Sequence, residues 1–160
     1  DPSRLFVVPS APGKRHSHDT KVTDMLFHCF ALQKKHPDEA LEYFERIKER
    51  YDEIIRELHL SYSLEEEYQL ISEKIGADIT EEYLVSRGEY LSAKILSALL
   101  GYPFLDASQC VKFDATGNYD EQSTQLAFYE IKDWPCFVMP GFYGSYPNGE
   151  IRTFSPKPWR

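Results

Sequence analysis

Leu5-Phe6-Val7-Val8-Pro9-Ser10-Ala11-Pro12-Gly13 is a short continuous apolar run that stops at a cluster of turn residues. Such a run reads as a buried strand followed by a turn, and loops at the carboxyl ends of strands are where open α/β sheets bind ligands. The loop stays polar to about Thr20. Val22, Met25, Leu26, Cys29 and Phe30 then recur at helical spacing, predicting a first helix that ends near His36. Pro37 suits the first turn of a second helix, whose inward stripe is Leu41, Phe44, Ile47, Tyr51, Ile54, Ile55 and Leu58. Ser63 and Glu66 fit a capping box opening a third helix, with Leu64, Tyr68, Ile71 and Ile75 inward and a stop at Gly76. Thr80 reads as the cap of a short turn through Tyr83 and Leu84, leading into a helix that holds Glu89 and ends at Gly101.

Beyond Gly101 the period changes. Pro103-Phe104-Leu105-Asp106 and Cys110-Val111-Lys112-Phe113 read as strands, with a Thr116-Gly117-Asn118 turn after them. A helix is expected over 121–131 and a buried strand over 136–139, broken by Pro140-Gly141-Phe142-Tyr143-Gly144. Asn148-Gly149 is a hairpin turn signal ahead of a strand over 151–154. Helices set between strands favour a layered α/β architecture, with no internal repeat or interdomain linker.

The 160 residues suffice for one domain with a core of its own. Apolar residues make up 42% and aromatics 14%, with 11 Tyr and 10 Phe, so the core should be aromatic-rich. A net charge of −8 disfavours non-specific nucleic-acid binding. The basic cluster Lys14, Arg15, His16 and His18 is read as a solvated loop or a contact for a small anion. Cys29, Cys110 and Cys136 are odd in number and far apart, which implies reduced, half-buried thiols and a cytoplasmic setting. The apolar run at 5–8 is too short for a signal peptide or a membrane span.

For chemistry the key segment is SRGEYLSAKIL, Ser86 to Leu96. It sets a lone carboxylate, Glu89, at a glycine-punctuated helix entrance ahead of Ala93, Ile95, Leu96, Leu99 and Leu100. Unpaired N–H groups there attract anions while Glu89 attracts an ammonium, a combination suited to an amino acid. Ser86 and Glu89 equally fit a capping box, so both readings stand at this level. The five histidines form no metal set with the cysteines, and there is no phosphate-binding P-loop or dinucleotide fingerprint. Ser10 lacks a nucleophile-elbow frame and reads locally as a turn or cap hydroxyl. The glycines of Gly141-Phe142-Tyr143-Gly144 allow either close approach of a ligand or a turn with positive φ.

VVPSAPGK at 7–14, KVTDML at 21–26, SRGEYLSAKIL at 86–96, FLDA at 104–107 and PGFYGSYPNGEIRTFS at 140–155 together resemble the aspartokinases, of the amino acid kinase family. The resemblance implies a three-layer α/β/α sandwich, with residues 1–160 a partial amino acid kinase domain, its aspartate-binding lobe, with a helix-rich middle. It implies phosphoryl transfer from ATP, with magnesium, to the side-chain carboxylate of L-aspartate, on the route to lysine, threonine and methionine. Glu89 would hold the substrate ammonium, Ser10 and Thr23 would add polar contacts, and Gly141, Phe142, Tyr143 and Gly144 would border the pocket. No metal ligands and no catalytic residue are assigned in this chain. The family's Lys-Phe-Gly-Gly and Arg-Gly-Gly-Ser-Asp motifs are missing, Pro156-Lys157-Pro158-Trp159-Arg160 standing where the second would be. The expectation is a piece of a homo-oligomeric enzyme that is inactive alone and binds nucleotide poorly. A non-catalytic amino-acid-binding remnant and a kinase for glutamate, acetylglutamate or a nucleotide are the competing readings.

Overall fold

The computed structural model describes residues 5–154, so the expected tail at 155–160 lies outside the described residues. In chain order the elements are β1 (Phe6–Val7), α1 (Val22–Gln33), α2 (Pro37–Glu57), α3 (Glu65–Lys74), α4 (Glu81–Leu100), α5 (Ala107–Cys110), α6 (Glu121–Glu130), β2 (Phe137–Val138), β3 (Tyr143–Ser145) and β4 (Ile151–Thr153). The α/β class and helix-rich middle expected above are what is found.

Three helices build the main core. α1, α2 and α4 pack on one another, burying Leu26, Cys29, Phe44, Ile47, Tyr51, Leu84 and Leu91, while α3 adds Tyr68 and Ile71. Pro37 occupies the first turn of α2, where its missing N–H costs nothing. The expected inward stripe holds at Phe44, Ile47, Tyr51 and Ile55, whereas Leu58 is exposed at the helix end and Arg50 is buried inside the stripe.

The strands form two small sheets. β2 is central in the first, with β1 parallel on one side, Phe6 opposite Phe137 and Val7 opposite Val138. On its other side lie residues 103–105, bridged in parallel at Phe104 and held by Val138 N to Pro103 O and Leu105 N to Val138 O, both 2.9 Å. In the second sheet β3 and β4 form the antiparallel hairpin signalled by Asn148-Gly149, with Gly149 at φ 88°. Residues 111–113 pair with its β3 edge through Lys112 and Ser145.

Several local expectations change. The run at 5–8 is not buried: Leu5, Phe6 and Val8 are exposed along the outer edge of β1. Cys110 closes a helical turn, α5, because the Asp106 side chain caps it by accepting from Ser108 N. Ser63 accepts from Glu65 N in a local turn, and the cap position of α3 is Leu64. α4 is one continuous helix from Glu81, capped by Thr80 accepting from Tyr83 N, so no helix begins at Ser86. The Ser86–Glu89 capping box does not form: Ser86 Oγ instead donates to Tyr83 O at 2.6 Å. A helix end offering free N–H groups is therefore absent at Glu89.

Gly144 owes its identity to strand packing. A Cβ there would lie 2.3 Å from Val111 O and 2.8 Å from Val111 Cγ1. Gly144→Ala should consequently lose about 3 kcal/mol by prying β3 from residues 111–113. A thermal melt should fall by roughly 10 °C; an unchanged melt would refute this close approach.

Candidate functional site

Gly88 is the point of contact between α4 and the loop that follows β1. A Cβ on it would stand 2.9 Å from Ala11 Cβ and 3.2 Å from Leu26 Cδ1, so the missing side chain lets the loop rest on the helix. At the same point the buried Tyr51 hydroxyl donates to Gly88 O at 2.7 Å. The next residue, Glu89, is thereby carried to the carboxyl end of β1.

Glu89 is 7% exposed. Its Oε1 accepts from Ala11 N at 3.4 Å, and Oε2 is a buried side-chain atom without a hydrogen-bond partner among the described residues. Burial pushes its carboxyl up to about 7, against the partial relief of backbone N–H donors, including Ala11. Buried polar oxygens are nearly always paired, so an orphan at the mouth of a sheet marks a place for a donor.

The loop around it is held on three sides. Gly141 N donates to Pro9 O at 3.3 Å, joining the loops after β1 and β2. Val22 N donates to Pro12 O at 3.1 Å, which fixes the first turn of α1, and with it Thr23, beside the same loop. Arg50, 5% exposed, spans the far end: Nη2 donates to Gly13 O at 2.8 Å and Nη1 to Thr20 O at 2.9 Å, with Asp19 Oδ2 3.3 Å away. Arg15 closes the strap by pairing with Asp19 at 2.9 Å and Glu53 at 2.7 Å, so part of the basic cluster is already neutralised.

The sequence-predicted residues thus fall into two groups. Ser10 lies exposed between the Pro9–Gly141 and Ala11–Glu89 contacts, with Thr23 half-buried at the start of α1, so Ser10, Thr23, Glu89 and Gly141 belong to one neighbourhood. Phe142 turns away, packing on the helical core with φ 75°, a left-handed conformation an aromatic residue rarely adopts. Tyr143 is buried, its hydroxyl donating to Asp106 Oδ1 at 2.9 Å and its ring facing Arg87, and Gly144 meets Val111. Arg50 and Tyr51 were missed as positioning residues. The signal available was a lone arginine inside the apolar stripe of α2.

No family model matches the chain. Over 97% of its length it is 32% identical to Aspartokinase 3 of Bacillus subtilis strain 168. Its fold superposes on the aspartate kinase of Clostridium acetobutylicum with a TM-score of 0.89, at 36% identity, over 97% of the chain. The chain is related to the aspartokinases. Aspartokinase III of E. coli, in complex with aspartate and ADP, shares the fold at a TM-score of 0.66 and 18% identity, over 95% of this chain and 37% of that one. This chain spans about a third of the relatives it matches, 37% of the Bacillus aspartokinase and 36% of the Clostridium one.

Two consequences follow for stability. The Glu89 carboxyl has its ordinary value at 4.5 and its folded value near 7, so between them the folded chain keeps a proton the unfolded chain has lost. Stability should therefore decline as pH rises from about 4.5 to about 7 and level off above, by on the order of 3 kcal/mol at most. Glu89→Gln, which keeps the neutral shape, should be the more stable protein at pH 8; equal pH slopes for the two in urea melts would refute this. Arg50→Met leaves Gly13 O and Thr20 O without their donor. Exchange of the Arg15 and Val22 amides should quicken at least about tenfold while that of Tyr68 stays unchanged, and unchanged loop exchange would show that Arg50 does not strap it.

Proposed function

We propose that this chain forms the L-aspartate-binding part of an aspartokinase, whose whole-length reaction moves the γ-phosphoryl group of ATP to the side-chain carboxylate of L-aspartate, giving 4-phospho-L-aspartate for lysine, threonine and methionine synthesis. The observation that carries the reading is Glu89 Oε2, buried without a partner beside the loop after β1. An ammonium group supplies a donor and a positive charge together, which satisfies the orphan oxygen and draws the carboxylate back to its ionised form. Ser10, exposed in the adjoining loop, and Thr23, at the first turn of α1, supply hydroxyls for the polar remainder of the substrate. Gly141 borders the same loop, while Phe142, Tyr143 and Gly144 pack on the helical core, on Asp106 and on Val111 instead.

The attacking carboxylate of aspartate is ionised at neutral pH, so this part of the enzyme needs no general base and contributes by binding and orientation. Magnesium-bound ATP supplies the phosphoryl group and neutralises charge in the intact enzyme. Among the described residues no group of three or more His, Cys, Asp or Glu is placed to hold a metal ion, and no residue of this chain is assigned to the nucleotide. No helix among the described residues is long and apolar enough to cross a membrane.

Calorimetry at pH 8 tests the assignment. L-Aspartate should give a saturable isotherm with the parent chain and bind at least about tenfold more weakly to Glu89→Gln, a loss of about 1.4 kcal/mol or more. Succinate, which lacks the ammonium, should bind no better to one protein than to the other. No heat from the parent with 10-fold more than about 1 mM ligand, a usual upper range for substrates, or equal isotherms for parent and variant, would sink the reading.

A further inference from the structure

α4 carries a second buried charged residue, two positions before Glu89, and it faces another way. Arg87 is 5% exposed, yet no carboxylate among the described residues stands within ion-pair distance of it. Among the described residues its hydrogen bonds run only from Nε and Nη2 to Ser86 Oγ, at 3.2 and 3.0 Å. Nη1 makes none and is not sealed off, since the one buried side-chain polar atom lacking a partner among the described residues is Glu89 Oε2. Three ring faces hold the guanidinium, those of Tyr90 at 4.2 Å, Tyr83 at 4.5 Å and Tyr143 at 5.3 Å. Aromatic faces answer its charge but accept none of its remaining N–H groups.

Arg87 opens onto a cleft of about 510 Å³ between α4, α5 and the β3–β4 hairpin. A fixed guanidinium with spare donors is shaped for a carboxylate. A bare anion, however, would also meet Asp78, Asp106 and Glu150, which outnumber the two cations of the cleft, Lys74 and Arg87. The charges suit a ligand that carries both signs. Tyr143 measures the gap between them, its ring on Arg87 and its hydroxyl on Asp106 Oδ1. Oδ1 also accepts from Ser108 N, whereas Asp106 Oδ2 accepts from no described residue.

We propose that this cleft is a binding site for a small α-amino acid, with its carboxylate on Arg87 Nη1 and its ammonium on Asp106 Oδ2. The site is separate from Glu89, which faces Ala11 on the other side of α4, and it does not rest on the aspartokinase reading. Glycine, the smallest such zwitterion, is the probe, followed by the Arg87 side-chain Nε–H and the Ser108 and Gly149 amide resonances of the 15N-labelled chain. Saturable shifts at millimolar glycine are expected, unchanged in Glu89→Gln and at least about fivefold weaker in Asp106→Asn, which retains a capping oxygen for α5. Acetate and methylammonium, each half of the ligand, should not saturate in the same range. Absence of saturation with glycine, equal shifts with acetate, persistence in Asp106→Asn, or loss in Glu89→Gln would each overturn the proposal. Arg87→Lys, where it folds, should abolish the Ser108 shift, because a point charge cannot replace the planar fork.

Discussion

A Cβ on residue 88 would stand 2.9 Å from Ala11 Cβ, closer than non-bonded carbon atoms settle, so the loop after β1 lies this close on α4 because that residue is glycine. Much of the neighbourhood hangs on this contact. The loop's seat on the helix sets the distance from Ala11 N to the Glu89 carboxylate, and the same loop gives Pro9 O to Gly141 and Pro12 O to Val22. Glycine inside a helix costs roughly 1 kcal/mol against alanine. Here that loss is set against the close approach of Ala11 and Leu26, while the Tyr51 hydroxyl holds Gly88 O from within the core.

The helical half of the fold was legible because its signals are local and redundant. Helix spacing, Pro37 at the start of α2, and Gly101 at the end of α4 in a left-handed conformation all point the same way. The hairpin at Asn148-Gly149 was legible for the same reason. The weaker readings turned on competition between signals. Ser86 and Glu89 have capping-box spacing, but Thr80 offers a cap six residues earlier, and a helix once begun continues through Ser86 because its hydroxyl bonds back to Tyr83 O. Likewise Asp106 caps a turn of helix that takes in Cys110, where the strand was expected to begin, while residues 111–113 do pair with β3. Burial of the run at 5–8 could not be read from apolar content alone, since an edge strand and a central strand share that composition.

Of the candidate site, Glu89 was found in the sequence for a reason the structure replaces. The carboxylate was placed at a helix N-terminus, where backbone donors would surround it. It lies instead in mid-helix, where those donors are spent on the helix itself. Burial with Oε2 unpaired raises the carboxyl, so the corrected geometry gives Glu89 a stronger demand for a cation than the expected geometry did. The arginine inside the apolar stripe of α2 was visible in the sequence, but its role was not, because its partners, Gly13 O and Thr20 O, are backbone atoms thirty or more residues away.

Glu89 and Arg87 share one turn of α4 but solve the problem of burial in opposite ways. Arg87 has its charge met by three tyrosine faces, which suits a planar, delocalised cation. A carboxylate has no such recourse, because aromatic faces are negative and repel it, so Glu89 is left with one long backbone donor and a raised affinity for a proton. The helix can hold both only because their neighbours differ: the Arg87 side is walled by aromatic rings, whereas the Glu89 side meets a backbone loop. That division makes the loop side of α4 the place where an incoming ammonium gains most, since there the charge it meets is not already answered by the protein.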